Sequence, residues 1–185
     1  MSKPIPQWLA PRAASPAIAG FSLAEGTIVV VVIAILAALA VPAFLGFLDQ
    51  RKVNATQYLI YQALRSTQQD AAQLRQTQQF SLRERAGQLE WASHPATIRP
   101  AQVNLWTPLL EGVGLASEDN TLLRQDGAYY VRFNLQGDVK SRLGRITVVG
   151  SGSRLTHRCV VISTLIGAMR QGRGHSRPLD GRYCY

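Results

Sequence analysis

The hydrophobic residues are concentrated in one uninterrupted run near the N-terminus. From Thr27 to Leu48 the chain has twenty-two residues without a charged side chain. At about 1.5 Å per residue, a helix of that length crosses the roughly 30 Å hydrocarbon core of a bilayer. The run is also longer than the about 7–15 apolar residues of an ordinary cleaved signal. It therefore predicts a membrane-spanning helix. The alternative is a simple anchor helix that tethers an exported domain, because such an anchor has the same length and composition.

After this run, polar and apolar residues follow a helical period. No glycine or proline lies between Asp49 and Phe80, and residues recur at steps of four and three along one stripe. The residues of this stripe are Val53, Gln57, Ile60, Leu64, Thr67, Ala71 and Leu74. The pattern predicts that the helix continues over residues 49–79, with the stripe packed against a sheet.

The remaining sequence has the short alternating runs that are typical of strands. Residues 80–83 and 88–91 alternate around Ala86-Gly87 and predict a hairpin. Further strands are predicted at residues 129–133, 145–149 and 159–163. Residues 94–120 contain three prolines and predict a long loop, and the glycine- and arginine-rich residues 170–185 predict a loop or tail. A long helix followed by antiparallel strands predicts an α+β fold, with the helix packed on a C-terminal antiparallel β-sheet.

A carboxylate lies at the start of the apolar run. A charged carboxylate at bilayer depth costs about 2.5–3.5 kcal/mol on insertion scales, so Glu25 is expected to have a partner or a function. The segment from Gly20 to Glu25 reads GFSLAE. It resembles the prepilin class, in which a leader ends in Gly and is followed by Phe, a small polar residue, Leu, a variable residue and Glu. Ala24 and Gly26 replace larger aliphatic residues that are common in that class.

The resemblance to type IV pilin-like proteins implies processing and assembly. It implies cleavage after Gly20 by a prepilin peptidase and N-methylation of Phe21. It also implies that Glu25 pairs with the N-terminal amine of a neighbouring subunit, because neither charge is solvated by water in lipid. The alternative is that Glu25 lies at the level of the lipid headgroups. The implied divisions are a leader at 1–20, a transmembrane half-helix at 21–48, an amphipathic half-helix at 49–79 and a β-rich domain at 80–185.

Charge does not decide the orientation of the chain in a membrane. Lys3 and Arg12 precede the apolar run, and Arg51 and Lys52 follow it, so the positive-inside rule is nearly balanced. The family resemblance implies a single-pass protein of the inner membrane with a periplasmic C-terminal domain. After assembly, the subunit would be part of a pilus or pseudopilus.

The strand half resembles a narrower group, the GspH/FimT class of minor pilins and pseudopilins. The similar segments are 133–137, 144–148 and 158–163, together with the glycine-rich end. Members of that class are minor subunits of type II secretion pseudopili or type IV pili. The resemblance therefore implies a structural role in filament assembly and protein secretion, with other pilin or pseudopilin subunits as partners.

The two cysteines, Cys159 and Cys184, are both near the C-terminus. In an exported domain they are well placed to form a disulfide, which would stabilise the fold by about 3.5 kcal/mol in the chain-entropy model. The alternative is a pair of reduced thiols. His157 and His175 make no ligand spacing with the cysteines, so no metal site is predicted.

Once the predicted leader with Lys3 and Arg12 is set aside, the excess positive charge is confined to the last quarter of the chain. Residues 21–139 carry nine basic and ten acidic side chains, whereas the residues from Lys140 onward carry nine basic ones and only Asp180 as an acid. A localised basic stripe attracts polyanions. Some FimT-type minor pilins bind DNA through a Gly-Arg-x-Arg segment, of which Gly172-Arg173 reproduces the first half. The candidate DNA-binding residues are Arg170, Arg173, Arg177 and Arg182; the alternative is a solvated basic surface.

No sequence motif supports catalysis. The chain has no HExxH, no Gly-x-Ser-x-Gly and no phosphate-binding loop, so neither an enzyme nor a cofactor is predicted. An anchored periplasmic enzyme would explain neither Gly20 nor Glu25. Two functions remain: a structural minor pilin or pseudopilin, and a DNA-binding minor pilin for DNA uptake in natural transformation.

Overall fold

The computed structural model describes Gly20 and residues 22–150, 156–179 and 181–185. One helix, α1, runs from Leu23 to Gln73. Its first turn is capped by Ser22, whose Oγ accepts a hydrogen bond of 3.2 Å from the backbone N–H of Glu25. Pro42 lies inside α1 and has no N–H to donate to the preceding turn. The chain divides into two compact units, one ending at Val41 and the other beginning at Pro42, so the N-terminal part of α1 belongs to one unit and the rest of α1 to the other.

The helix ends six residues before the predicted position. Arg75 has a φ of 47°, and the N–H of Gln76 donates to the carbonyl of Ala71 over 3.2 Å. This left-handed residue with a six-to-one hydrogen bond is the Schellman arrangement that terminates helices. Residues 78 and 79, which were predicted to be helical, belong to the first strand, and Leu74 is 65% exposed rather than packed on the sheet.

The first sheet contains the predicted hairpin. Its two strands, β1 (Gln78–Arg85) and β2 (Gln88–Pro95), are joined by Ala86 and Gly87, whose φ angles of 52° and 78° fit a type I′ turn. The other strands of this sheet are β3 (Thr107–Pro108), β5 (Leu123–Gln125) and β6 (Ala128–Phe133). The antiparallel order is β3-β2-β1-β6-β5. The predicted strand at 129–133 is therefore confirmed as β6.

The second sheet contains the other two predicted strands. Its members are β4 (Gly114–Leu115), β7 (Gly144–Val149), β8 (Arg158–Ile162), β9 (Met169–Leu179) and β10 (Arg182–Cys184). They pair antiparallel in the order β10-β9-β8-β7-β4. The long loop predicted at residues 94–120 is largely irregular, but it includes the 3₁₀ turn Pro100–Gln102 and the short strands β3 and β4.

The prediction of a loop or tail at residues 170–185 is wrong. Residues 169–179 form the longest strand of the protein's described part, and β10 folds back on it. Local propensity does not favour a strand there, because the segment is rich in glycine. The strand exists because β9 pairs with β8 from Arg158↔Arg173 to Ile162↔Met169, and because the Cys159–Cys184 disulfide ties β10 to β8.

The core lies between the C-terminal part of α1 and the sheets, which confirms the α+β prediction. The predicted stripe is buried from Val53 to Ala71, and it packs with residues of both sheets, among them Phe80 and Val160. Two glutamine side chains also fasten the helix to the domain. Gln57 donates to strand carbonyls of the second sheet, and Gln68 donates over 2.8 Å to the carbonyl of Gly137.

Candidate functional site

The segment that resembles a prepilin cleavage site precedes α1. Gly20 is exposed, and a Cβ at that position would meet no atom within 4 Å. Phe21 lies outside the described residues. Glu25 is exposed in the first turn of α1, where a carboxylate also stabilises the helix dipole. Ser22 and Glu25 have the S-x-x-E spacing of a capping box, of which the structure shows the hydrogen bond from the Glu25 N–H to Ser22 Oγ.

The apolar part of α1 has an exposed surface. Leu23–Gln73 is a helix long and apolar enough to cross a bilayer, and none of its most apolar window is buried. Ile28, Leu36 and Phe44 are examples, each about three-fifths exposed. In a helix from the core of a soluble protein such side chains would be covered, since burying a Leu or Ile side chain contributes about 1.5–3 kcal/mol. The exposure therefore fits a helix that contacts lipid or other helices.

A cleft in the second sheet is lined by four arginines. It has a volume of about 320 Å³ and lies over the ends of β7, β8 and β9. The four side chains are those of Arg142, Arg145, Arg170 and Arg182, with the hydroxyl residues Thr121 and Ser163 beside them. Among the described residues that line the cleft, none carries a carboxylate. Two of these arginines, Arg170 and Arg182, were predicted as polyanion contacts; the sequence reasoning missed Arg142 and Arg145.

Arg145 is the buried member of this four-arginine cleft. It is 5% exposed, and its guanidinium Nη1 donates to the carbonyl of Cys184. Burial lowers its pKa, the positive charges of Arg182 and Arg170 lower it further, and the carboxylate of Asp119 acts in the opposite direction. The backbone N–H of Arg145 donates to Thr121 Oγ1 over 2.9 Å. These contacts fix a positive charge at the base of the cleft.

The other two predicted arginines lie elsewhere. Arg173 lines a separate depression of about 270 Å³ together with Arg158 and Tyr185. The pKa of Arg158 is lowered by burial and then by Arg173, so this depression also has excess positive charge. Arg177 is exposed, and its carbonyl accepts a hydrogen bond of 3.4 Å from the hydroxyl of Tyr185. The structure therefore divides the predicted DNA-binding set between two places on one sheet.

The predicted disulfide is present and lies inside the basic region. Cys159 and Cys184 are bonded, with Cα atoms 6.1 Å apart and both residues fully buried. Nearby, the ring of Tyr185 stacks on His175 with centroids 3.9 Å apart. One face of the Tyr185 ring is thus occupied within the domain. Within the described part of the chain, no group of three or more His, Cys, Asp or Glu side chains is placed to hold a metal ion.

No protein-family model, no curated protein sequence and no solved structure matches the chain. What is shown is an α+β protein with a long apolar N-terminal helix, two antiparallel sheets and a disulfide, an arrangement consistent with a pilin-like fold.

Proposed function

We propose that this chain is a minor pilin or pseudopilin, a structural subunit that assembles through its N-terminal helix into a type IV pilus or a type II secretion pseudopilus. The observation that carries the proposal is the exposed apolar surface of α1, which starts next to Gly20 and Glu25 and precedes a helix half packed on antiparallel sheets. An isolated membrane anchor needs neither the GFSLAE segment nor a carboxylate at the head of its apolar run.

The first test of this proposal is processing. In cells with an active prepilin peptidase, intact-mass spectrometry should find a mature chain that begins at N-methylated Phe21. A peptidase-deficient strain is the control and should retain residues 1–20. A full-length, unmethylated chain in the active strain would contradict the proposal.

The second test asks whether the Glu25 carboxylate pairs with a neighbouring subunit. If Glu25 pairs with a neighbouring subunit, Glu25→Ala should leave membrane insertion intact and strongly reduce recovery of the chain in sheared filaments. Ser22→Ala is the matched control, because it removes the cap on the Glu25 N–H but keeps the carboxylate. A loss of about 1 kcal/mol of helix stability is expected from the cap alone. Equal filament incorporation of both variants would contradict a role of the Glu25 carboxylate in subunit pairing.

A second candidate function, DNA binding by the same subunit, is favoured by the exposed arginines of β9. Arg170, Arg173 and Arg177 are exposed along this strand, and arginine can donate two hydrogen bonds to one phosphate. Binding should be independent of base sequence, with a dissociation constant of roughly micromolar or weaker, and should weaken with salt at a log–log slope of roughly −0.9 per phosphate contact. Replacing Arg173 and Arg177 by Gln should flatten that slope. If the unmodified chain does not shift duplex DNA at low ionic strength, the arginines serve another purpose.

A further inference from the structure

The four-arginine cleft has an excess of positive charge that the described residues around it do not neutralise. Arg142, Arg170 and Arg182 make no ion pair or side-chain hydrogen bond with any residue that the structure describes. Arg145 has the nearby carboxylate of Asp119, but Asp119 also lies 3.8 Å from His157. Like charges gathered in one cleft without counter-charges raise the local positive potential, so the cluster attracts anions.

The cleft is built on a rigid scaffold rather than on loose side chains. Arg145 on β7 pairs with Val161 on β8, and Val161 pairs with Arg170 on β9. The two arginines are therefore in the same row of the sheet, about 10 Å apart at two strand spacings. On the next strand, β10, Arg182 is held near them, because Arg145 donates to the Cys184 carbonyl and the disulfide fixes that strand. Side chains of this length converge readily over such a span.

We propose that the four-arginine cleft binds the phosphate group of a phosphate monoester. A monoester phosphate carries a charge of about −1.5 to −2 at pH 7 and three strong acceptor oxygens, which matches several converging guanidinium groups. The three exposed arginines can each donate two parallel N–H bonds to such a group, and Thr121 and Ser163 line the same cleft with hydroxyl groups. A diester has only one charge and would gain less from the same four side chains. This site belongs to the second sheet and is additional to the proposed structural role.

Calorimetric titration of the full chain in an uncharged detergent at pH 8 tests this proposal. The probes are methyl phosphate, a dianion at that pH, and dimethyl phosphate, a monoanion, at matched ionic strength. Methyl phosphate should bind saturably and at least about tenfold more tightly than dimethyl phosphate, which corresponds to about 1.4 kcal/mol. Absence of saturable binding of methyl phosphate, or equal binding of the two esters, would overturn the proposal.

Two double variants separate a built site from a general effect of charge. Arg142→Gln with Arg170→Gln removes two exposed arginines of the cleft, and Arg173→Gln with Arg177→Gln removes two exposed arginines outside it. Both change the net charge by the same amount. The cleft variant should weaken methyl phosphate binding at least about tenfold, because it removes two charged donors from the phosphate, whereas the control should change it less than about twofold. Equal weakening in both would overturn the proposal, and unchanged melting temperatures without ligand verify that both variants fold.

The same titration distinguishes two sources of the phosphate. Short-chain phosphatidic acid carries the monoester on a lipid, whereas methyl phosphate offers it without one. Tighter binding of the lipid supports the proposal with a membrane headgroup as the source. Equal binding supports it with a soluble ester as the source. In either case the affinity must be lost in the cleft variant, and lipid binding that survives in that variant counts against the cleft.

Discussion

Gln57 provides the most direct test of how α1 is fastened to the second sheet. The residue is 6% exposed, and its Nε2 donates to the carbonyls of Cys159 and Gly172, both over 2.7 Å. Cys159 and Gly172 lie opposite each other on β8 and β9. One side-chain amide of the helix therefore bonds two neighbouring strands at the level of the disulfide, and substitution of this single residue should loosen both.

The variant Gln57→Met isolates these two hydrogen bonds, because methionine has a similar length but no donor. A hydrogen bond contributes about 0.5–1.5 kcal/mol net, and a buried acceptor left without its partner raises that loss. Two bonds lost together should lower the free energy of unfolding by about 2–3 kcal/mol. For a protein of this size, such a loss lowers the melting temperature by roughly 4–12 °C.

The assay is thermal and urea unfolding of the full chain in an uncharged detergent, followed by circular dichroism. Gln62→Met is the matched control: Gln62 is exposed and donates to Tyr58 Oη over 2.6 Å. Exposed side-chain hydrogen bonds compete with water, so the control should lose less than about 0.5 kcal/mol. A Gln57→Met protein that is as stable as the Gln62→Met protein would refute the view that this amide fastens the helix to the sheet.

Two further predictions concern the disulfide and a buried histidine. Reduction of the Cys159–Cys184 bond, which closes a sequence separation of 25 residues, should lower the free energy of unfolding by about 3.5 kcal/mol; an unchanged urea midpoint after verified reduction would contradict this. Burial lowers the pKa of His94 from 6.5, the backbone hydrogen bond to Pro95 opposes this, and the charge of Arg132 adds to it. Below about pH 6.5, His94 is therefore protonated more readily in the unfolded chain than in the native chain. The free energy of unfolding consequently falls as the pH falls. His94→Gln should flatten this fall between pH 7 and 5, and an identical slope in the variant would count against it.

The elements that local pattern specifies were predicted well. The stripe from Val53 to Ala71 repeats every three or four residues and is buried as expected, because helical periodicity is a local property. The hairpin at Ala86-Gly87 likewise depends on neighbouring residues only. Asp126 and Gly127 connect β5 and β6 with φ angles of 50° and 81°. This Asp-Gly pair is a recognised hairpin signal, and it could have revealed β5 from the sequence.

The elements that depend on distant partners were missed. β9 contains Gly172, Gly174 and Pro178, a composition that opposes strand formation. Its pairing with β8 and with β10, which the disulfide ties to β8, supplies what the local sequence lacks. The same reason explains the helix end at Gln73: no glycine marks it, and Arg75 adopts the left-handed conformation that glycine usually provides.

At the candidate site too, the sequence predicted the local charge but not the contacts between distant residues. The basic count from Lys140 onward correctly indicated where positive charge accumulates, but it could not group the arginines. Grouping depends on register: Arg145 and Arg170 become neighbours through Val161, whereas Arg173 pairs with Arg158. A shift of one residue in either pairing would move these side chains to the opposite face of the sheet.

The burial of Arg145 gives the disulfide a second consequence besides stability. A buried guanidinium must be hydrogen-bonded, because an unpaired charge in the interior is far more costly than an unpaired neutral group. Its acceptor is the carbonyl of Cys184, on a three-residue strand at the edge of the sheet, which would otherwise be weakly held. The covalent bond to Cys159 keeps that acceptor in place. The bridge thus fixes Arg145 at the base of the cleft that the three exposed arginines also line.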